Sequence, residues 1–128
     1  MIVDANVLAS AFLGRSSPLL LEVRERGIDL LMPQPQFLES RLVAQRKGGW
    51  SFAEFDRAAA RLIDVLPEAD YIGREKVARA RLGPRGQPDW PVLASAIEYD
   101  DAIWSNDRDF FGVGVPVWTT QNIRFAEP

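Results

Sequence analysis

The chain has 128 residues, a formal net charge of −3, and neither cysteine nor histidine. A length of this size suits one domain with one well-covered core. The composition excludes disulfide bonds, zinc sites built on cysteine or histidine, and catalysis by an imidazole or a thiolate. The apolar runs are too short to span a membrane and the N-terminus lacks the basic flank of a signal peptide, so we expect a cytoplasmic protein.

The N-terminal part of the sequence alternates short apolar runs with segments of helical periodicity. The predicted elements are a buried strand over residues 1–4, helices over 7–13 and 19–26, a strand over 28–32 and a helix over 34–47. Ser16-Ser17-Pro18 is the start signal predicted for the second of these helices. In the helix over 34–47, the apolar residues predicted to face the core are Phe37, Leu38, Leu42 and Val43.

The C-terminal part begins with the capping box Ser51-Phe52-Ala53-Glu54, which predicts a helix whose core residues are Phe55, Ala58, Ala59, Leu62 and Ile63. The elements predicted after it are a helix over 71–82, a helix that starts at Asp89, and strands over 102–105 and 115–118. Short strands separated by helices favour an α/β fold, with a parallel sheet covered by helices on both faces. Right-handed connections then bring the carboxyl ends of the strands to one edge.

Several acidic residues fall where such a fold places its ligands, at strand ends and helix starts. Asp4 ends the first predicted strand, and Asp89 stands at the beginning of a helix. Asp107 follows the strand over 102–105, with Asp109 two residues further on, and Glu39 lies within the helix over 34–47.

Each acid also has a purely structural interpretation. Asp4 and Asp89 are good helix caps, Glu39 suits a solvated helix face, and Asp107 and Asp109 can stabilise a turn. Brought together, however, carboxylates repel one another unless a cation neutralises them. Oxygen ligands alone select a hard cation such as Mg²⁺ or Mn²⁺, which lowers the pKa of bound water and stabilises charge on a phosphodiester. The residues are therefore compatible with a metal-dependent phosphoryl-transfer site.

Four segments of the sequence resemble the PIN domain, in particular the VapC-type toxins of toxin–antitoxin systems. They are Ile2-Val3-Asp4-Ala5-Asn6-Val7-Leu8, the helical Glu39, Asp89-Trp90-Pro91-Val92-Leu93-Ala94-Ser95-Ala96, and Ile103-Trp104-Ser105-Asn106-Asp107-Arg108-Asp109-Phe110. The resemblance implies a single PIN-like domain over residues 1–128. It also implies a three-layer α/β/α sandwich around a mainly parallel sheet of four or five strands.

The function that this resemblance implies is that of a metal-dependent endoribonuclease. The implied catalytic acids are Asp4, Glu39, Asp89 and Asp107, of which Asp4, Asp89 and Asp107 hold Mg²⁺ or Mn²⁺. The implied supporting groups are Asn6, Ser105 and Asp109. The implied partners are an RNA substrate, a small antitoxin protein and a second copy of the chain in a homodimer.

A basic run follows the middle of the sequence and offers contacts to RNA phosphates. The residues predicted to bind RNA are Arg74, Lys76, Arg79 and Arg85, with Trp90 as a candidate for base stacking. The alternative is a solvated helix face whose charges oppose acids of the same chain.

Two other functions stay open at this point. One is a PIN-like module that binds RNA or protein without catalysis. The other is a phosphatase that uses Asp4 as its nucleophile, although that chemistry favours a second aspartate where Asn6 stands.

Overall fold

The computed structural model describes residues 1–14 and 17–128. Within these residues the helices are α1 (Ala5–Phe12), α2 (Ser17–Glu25), α3 (Gln34–Gly48), α4 (Phe52–Ala59), α5 (Glu75–Arg81) and α6 (Trp90–Glu98). The strands are β1 (Ile2–Val3), β2 (Leu31–Pro33), β3 (Asp64–Leu66), β4 (Ile103–Trp104) and β5 (Val117–Trp118). None of the helices in this part of the chain is long and apolar enough to cross a membrane.

The five strands form one sheet in the order β3-β2-β1-β4-β5, and every neighbouring pair is parallel. β1 lies at the centre, where Ile2 pairs with Leu31 of β2 on one side and with Ile103 of β4 on the other. The chain builds outward from β1 through β2 to β3 and then returns to place β4 on the opposite side. The strand order therefore reverses between β1 and β4, and ligands of open α/β sheets bind at such a switch point.

Alternate residues of the central strands enter two different hydrophobic cores. Val3 and Trp104 pack with α1 and α2 and with buried residues of α3 and α4, whereas Ile2 and Ile103 pack with α5 and α6. Successive side chains of a strand point to opposite faces, so the two cores are the two sides of the sheet. The predicted three-layer α/β/α sandwich is confirmed, and its sheet has five strands that are all parallel.

β3 has no counterpart among the strands predicted from the sequence. It is an edge strand in which only Leu66 is buried, while Asp64 and Val65 are exposed. The sequence analysis assigned Leu62 and Ile63 to the helix that follows the capping box, but that helix ends at Ala59, and these two residues lead into β3. The pairing of β3 with β2 is a tertiary interaction.

The inward face predicted for α3 was wrong at two positions. Leu38 and Leu42 are 43% and 36% exposed, and the buried residues of the helix are instead Gln36, Ser40 and Ala44. These three residues recur every four positions and form one face. Leu38 and Leu42 thus do not mark the buried side of α3, whereas Phe37 is partly buried against the core, as predicted.

Other element boundaries differ in smaller ways. The segment predicted as one helix over 71–82 begins with a 3₁₀ turn, Ile72–Arg74, and becomes α-helical only at Glu75. Another 3₁₀ turn, Glu68–Asp70, precedes this segment. The capping box at Ser51 is confirmed, because its hydroxyl accepts from the Glu54 N–H while the Glu54 carboxylate accepts from the Ser51 N–H. The start signal predicted at Ser16 lies outside the described residues.

Candidate functional site

Asp4 and Ser105 directly follow β1 and β4, the two strands between which the sheet order reverses. The parallel ladder continues into both residues, since Asp4 N donates to Trp104 O at 3.0 Å and Ser105 N donates to Trp118 O at 3.0 Å. Their side chains therefore emerge side by side at the carboxyl edge of the sheet. Residues 101 positions apart in sequence become neighbours there.

The Asp4 carboxylate is 4% exposed and accepts a hydrogen bond on each oxygen. Oδ1 accepts from Ala5 N at 2.7 Å, and Oδ2 accepts from the Ser105 hydroxyl at 2.6 Å. Burial raises the pKa of Asp4 from its ordinary 3.8 to about 6, against the lowering effect of the Ser105 hydrogen bond. The negative charges of Asp89 and Asp107 contribute smaller parts of the same rise in pKa. Asp4 thus caps α1, and it also faces other acids of the predicted site.

A chain of hydrogen bonds leads from Asp4 along the segment after β4. The Ser105 hydroxyl, which donates to Asp4, also accepts from Asp107 N at 3.0 Å. The Asp107 carboxylate accepts from Asp109 N at 2.9 Å, and Asp109 pairs with Arg85 at 3.0 Å. Asp107 therefore stabilises its own turn, as the structural interpretation expected, and that same turn holds it beside Ser105 and Asp4.

Asp89 does not behave as a helix cap. It precedes α6, yet within the described residues its side chain accepts no capping hydrogen bond from that helix. Burial raises the pKa of Asp89, and the nearby charge of Asp107 raises it further, while the polar side chain of Gln36 lowers it. Glu39 and Asp109 add smaller repulsions in the same direction. Asp89 is therefore held among the other acids, and its carboxylate is not used by the helix that follows it.

Glu39 and Asn6 are the most open of the predicted site residues. Both are exposed, Glu39 on α3 and Asn6 in the first turn of α1. The negative charge of Glu39 repels the Asp89 carboxylate and so helps to raise the pKa of Asp89.

Gln36 and Ser40 of α3 are two polar residues near the acids that the sequence analysis missed. Gln36 Oε1 accepts from Ala5 N at 3.2 Å, and the Ser40 hydroxyl donates to Ala5 O at 3.0 Å and to Gln36 O at 2.8 Å. Both are buried where α3 packs on α1. The sequence held one signal, because Gln36 precedes Glu39 by three residues and so lies on a neighbouring part of the same helix surface.

The oxygen atoms at this site are the type of ligand that a hard divalent cation prefers. The acids offer only oxygen, and the carboxylates of Asp4 and Asp89 are destabilised by neighbouring negative charge, which a cation would offset. Within residues 1–14 and 17–128, no group of three or more acids is arranged so that it could hold a metal ion. Mg²⁺ in proteins commonly uses one or two carboxylates and keeps several waters, so a smaller protein ligand set still fits that ion. The ligand set Asp4, Asp89 and Asp107 stays a prediction.

The basic residues predicted to bind RNA are mostly engaged with acids of the same chain. The pairs are Arg74 with Glu98 at 2.7 Å, Arg79 with Glu75 at 2.7 Å, and Arg85 with Asp109 at 3.0 Å. Lys76 is exposed on α5. Surface pairs of this type are weak and can exchange partners, so they leave phosphate binding open without indicating it.

Trp90, the predicted stacking residue, is half-buried beside Asp89. Its ring lies 5.6 Å from that of Tyr71, and the Arg79 guanidinium lies 5.3 Å from its centroid. Trp104 and Trp118 pack in or against the core, as expected for residues of β4 and β5.

A cavity of about 560 Å³ opens away from the acids, at the amino ends of the strands. Its lining includes Met1, Asp29, Asp101 and Trp118. The acids instead lie at the carboxyl edge, where the connections of a parallel sheet bring ligand-binding groups together. We therefore place the candidate site at the carboxyl edge despite the larger volume elsewhere.

Comparison with known families supports this assignment of the fold. A sequence model of the PIN domain matches residues 2–127, which is nearly the whole chain. No curated protein and no solved structure gives a significant match. The family match covers β1 with Asp4, the α3 segment with Glu39, and the C-terminal acids. The chain belongs to the PIN domain family, whose members are generally nucleases.

Proposed function

We propose that this protein is a metal-dependent endoribonuclease that hydrolyses RNA phosphodiester bonds with Mg²⁺ or Mn²⁺. The observation that carries the proposal is the proximity of acids at the switch point of the sheet, where the charges of Asp89 and Asp107 raise the pKa of Asp4 and the charge of Asp107 raises the pKa of Asp89. A structural role alone does not require acids that repel one another to be kept close. Membership of a family of nucleases points the same way.

Each acid has a definite part in this proposal. Asp4, Asp89 and Asp107 hold the cation, and Glu39, exposed on α3, adds negative charge on the open side of the site. Ser105 orients Asp4 through its 2.6 Å hydrogen bond, and it accepts from the backbone of Asp107. When bound, the cation would lower the pKa of water and offset charge on the scissile phosphate. The chain itself supplies no histidine for that purpose.

Asn6 and Asp109 complete the proposed site at its edge. Asn6 is exposed beside Asp4 at the start of α1, where its amide can contact the RNA. Asp109 forms a salt bridge with Arg85, and its backbone N–H donates a hydrogen bond to the Asp107 carboxylate. The residues proposed to contact RNA phosphates are Arg74, Lys76, Arg79 and Arg85, and the three arginines would exchange their present acidic partners for phosphate.

Cleavage of a labelled RNA tests the proposal. We expect fragments with Mg²⁺ or Mn²⁺, none with EDTA, and a loss of at least about 100-fold in Asp4→Asn, more than is typical when only an orienting group is removed. Asp29→Asn is the matched control, because it removes the same charge from an exposed position at the opposite edge. Cleavage that survives both EDTA and Asp4→Asn contradicts the proposal. Binding of RNA without any cleavage supports the alternative of a non-catalytic module.

The aspartate-nucleophile phosphatase is disfavoured by the position of Asp4. A nucleophilic carboxylate must reach the phosphorus of its substrate, and Asp4 is almost fully buried. The residue two positions later is Asn6, which cannot serve as the acid that such a phosphatase uses.

We further propose that the protein is a cytoplasmic toxin of the VapC type, held inactive by a small antitoxin and acting as a homodimer. The support is the resemblance of residues 1–8, 89–96 and 103–110 to that group of PIN domains. Induced expression of the wild type in bacteria is expected to stop growth, and expression of Asp4→Asn is not. Equal growth of both strains contradicts the toxin assignment.

A further inference from the structure

Asn106 stands between Ser105 and Asp107 in the segment that follows β4, and its side chain is exposed. An asparagine in a turn commonly bonds a nearby backbone group of that same turn. The partner of Asn106 is Thr120, 14 positions away, in the segment that follows β5. The Asn106 side chain therefore connects two separate segments at the carboxyl edge of the sheet.

The contact between Asn106 and Thr120 is reciprocal. Asn106 Oδ1 accepts from Thr120 N at 2.8 Å, and Asn106 Nδ2 donates to Thr120 Oγ1 at 3.0 Å. A backbone N–H can only donate, which fixes the orientation of the carboxamide. Thr120 Oγ1 also accepts at 3.2 Å from Nε1 of Trp104, a fully buried residue of β4. Thr120 is thus anchored to the core and offers Asn106 a fixed partner.

The backbones of β4 and β5 lead directly into this contact. Ser105 N donates to Trp118 O at 3.0 Å, and two residues beyond Trp118 the N–H of Thr120 donates to the Asn106 side chain. A regular parallel ladder would use a backbone carbonyl at that point. The Asn106 side chain therefore takes the place of a backbone group and extends the attachment of the two segments beyond the strands.

Both neighbours of Asn106 belong to the candidate site. The Ser105 hydroxyl donates to Asp4 Oδ2 at 2.6 Å and accepts from Asp107 N at 3.0 Å. These two bonds attach one side of the turn to Asp4, and the bonds of Asn106 attach the same stretch of backbone to the segment after β5. A turn attached on both sides has fewer conformations, so the backbone of Asp107 is restricted relative to Asp4.

We propose that Asn106 is a positioning residue of the candidate site, whose paired contact with Thr120 fixes the turn that carries Asp107 relative to Asp4. Asparagine suits this role because one end of its carboxamide accepts from an N–H while the other donates to a hydroxyl. An alanine at this position offers neither contact. The consequence for catalysis rests on the proposed nuclease function, whereas the restriction of the turn does not.

Hydrogen exchange of the metal-free protein, measured by NMR, tests the restriction of the turn. Asn106→Ala should speed exchange at Asp107 N by about 2- to 10-fold, after correction for the changed neighbouring residue, as expected when an ordinary hydrogen bond is lost. Asp107 N bonds to Ser105 Oγ and not to the Asn106 side chain, so its exchange changes only if the turn as a whole loosens.

Asn122→Ala is the matched control for this experiment. Asn122 is also exposed, and its Oδ1 accepts from Thr119 N at 2.8 Å, within the segment after β5. Its replacement should speed exchange at Thr119 N and leave Asp107 N unchanged. An unchanged rate at Asp107 N in Asn106→Ala, or an equal change there in both variants, overturns the proposal.

The consequence for function is tested by the metal dependence of RNA cleavage. Asn106→Ala is expected to raise the Mn²⁺ concentration at half-maximal rate by about 10-fold, the lower end of the loss for groups that orient metal ligands, with the KM for RNA unchanged. Asn122→Ala should match the wild type in both quantities. A raised KM for RNA with the metal dependence of the wild type would mean that Asn106 binds RNA directly, and it overturns the positioning role.

Thr120 supplies a conservative variant that separates the contact from other effects. Thr120→Ser keeps the oxygen that accepts from Asn106 and Trp104, so it should match the wild type in both experiments. A loss in Thr120→Ser as large as that in Asn106→Ala overturns the proposal. If the wild type cleaves no RNA with either metal, the proposed function fails, and the exchange comparison alone decides whether Asn106 positions Asp107.

Discussion

Replacing Asp4 with asparagine should stabilise the metal-free protein, and the gain should depend on pH. The folded state raises the pKa of Asp4 from 3.8 to about 6, so the folded protein binds this proton more tightly than the unfolded chain does. The stability that Asp4 contributes is therefore complete below pH 3.8 and is lost as the pH rises through about 6. A rise of this size corresponds to about 3 kcal/mol in the free energy of unfolding.

Asparagine is a neutral side chain of the same shape, and its oxygen can still accept from Ala5 N. The difference in unfolding free energy between Asp4→Asn and the wild type should therefore increase by about 3 kcal/mol between about pH 4 and about pH 6 and level off above that. Comparison with the wild type removes the contribution of titrating groups that do not interact with Asp4.

Urea unfolding followed by tryptophan fluorescence, in EDTA and at several pH values between these limits, measures this difference. Asp29→Asn serves as the control, because it removes a carboxylate from an exposed position. A difference that is constant with pH, that falls as the pH rises, or that equals the one for Asp29→Asn would refute the reasoning. Added Mg²⁺ should reduce the difference in the free energy of unfolding between Asp4→Asn and the wild type by stabilising only the wild type. A ligand that binds the folded state stabilises it.

Two further predictions concern stability away from the acids. The buried hydroxyl of Tyr71 has no hydrogen-bond partner within the described residues, so Tyr71→Phe should leave the free energy of unfolding unchanged or raise it by up to about 1 kcal/mol in urea unfolding. A loss larger than about 1 kcal/mol would show that the hydroxyl does have a partner. Ser51→Ala removes the capping box of α4 and should lower the free energy of unfolding by about 1 kcal/mol in the same assay, with Ser51→Thr, which keeps the hydroxyl, close to the wild type. Equal stability of the alanine and threonine variants would contradict the role assigned to the cap.

Local patterns in the sequence were enough to predict most of the elements. The apolar run before Asp4 predicted β1, the Ser51 capping box predicted the start of α4, and the order of strands and helices predicted a parallel sheet between two helical layers. Each of these signals depends on residues close to one another in the chain, where backbone geometry and hydrophobic periodicity act directly. The positions of Asp4 and Asp107 after two strands followed from the same reasoning, whereas the pairing of those strands, β1 and β4, was seen only in the structure.

The elements that the sequence analysis missed depend on distant partners. β3 exists because its backbone pairs with β2, although only Leu66 of its three residues is buried. The buried side of α3 is set by close contact with α1, which favours Gln36 and Ser40 over the larger Leu38 and Leu42. Local sequence patterns do not determine either outcome, because the pairing of an edge strand and the burial of a helix face depend on the element that packs against them.

For this protein, the sequence by itself determined the chemistry that the site can perform. A chain without histidine or cysteine, with aspartates at strand ends, leaves carboxylate oxygen as its main ligand. Only the tertiary structure decided how these groups are arranged. It joined Asp4 to Ser105 across 101 residues, left the Asp89 side chain without a capping hydrogen bond to its own helix, and brought Gln36 to the backbone N–H of Ala5. The physical reason is that residue type sets which interactions are available, whereas packing decides which distant groups meet and how strongly burial perturbs them.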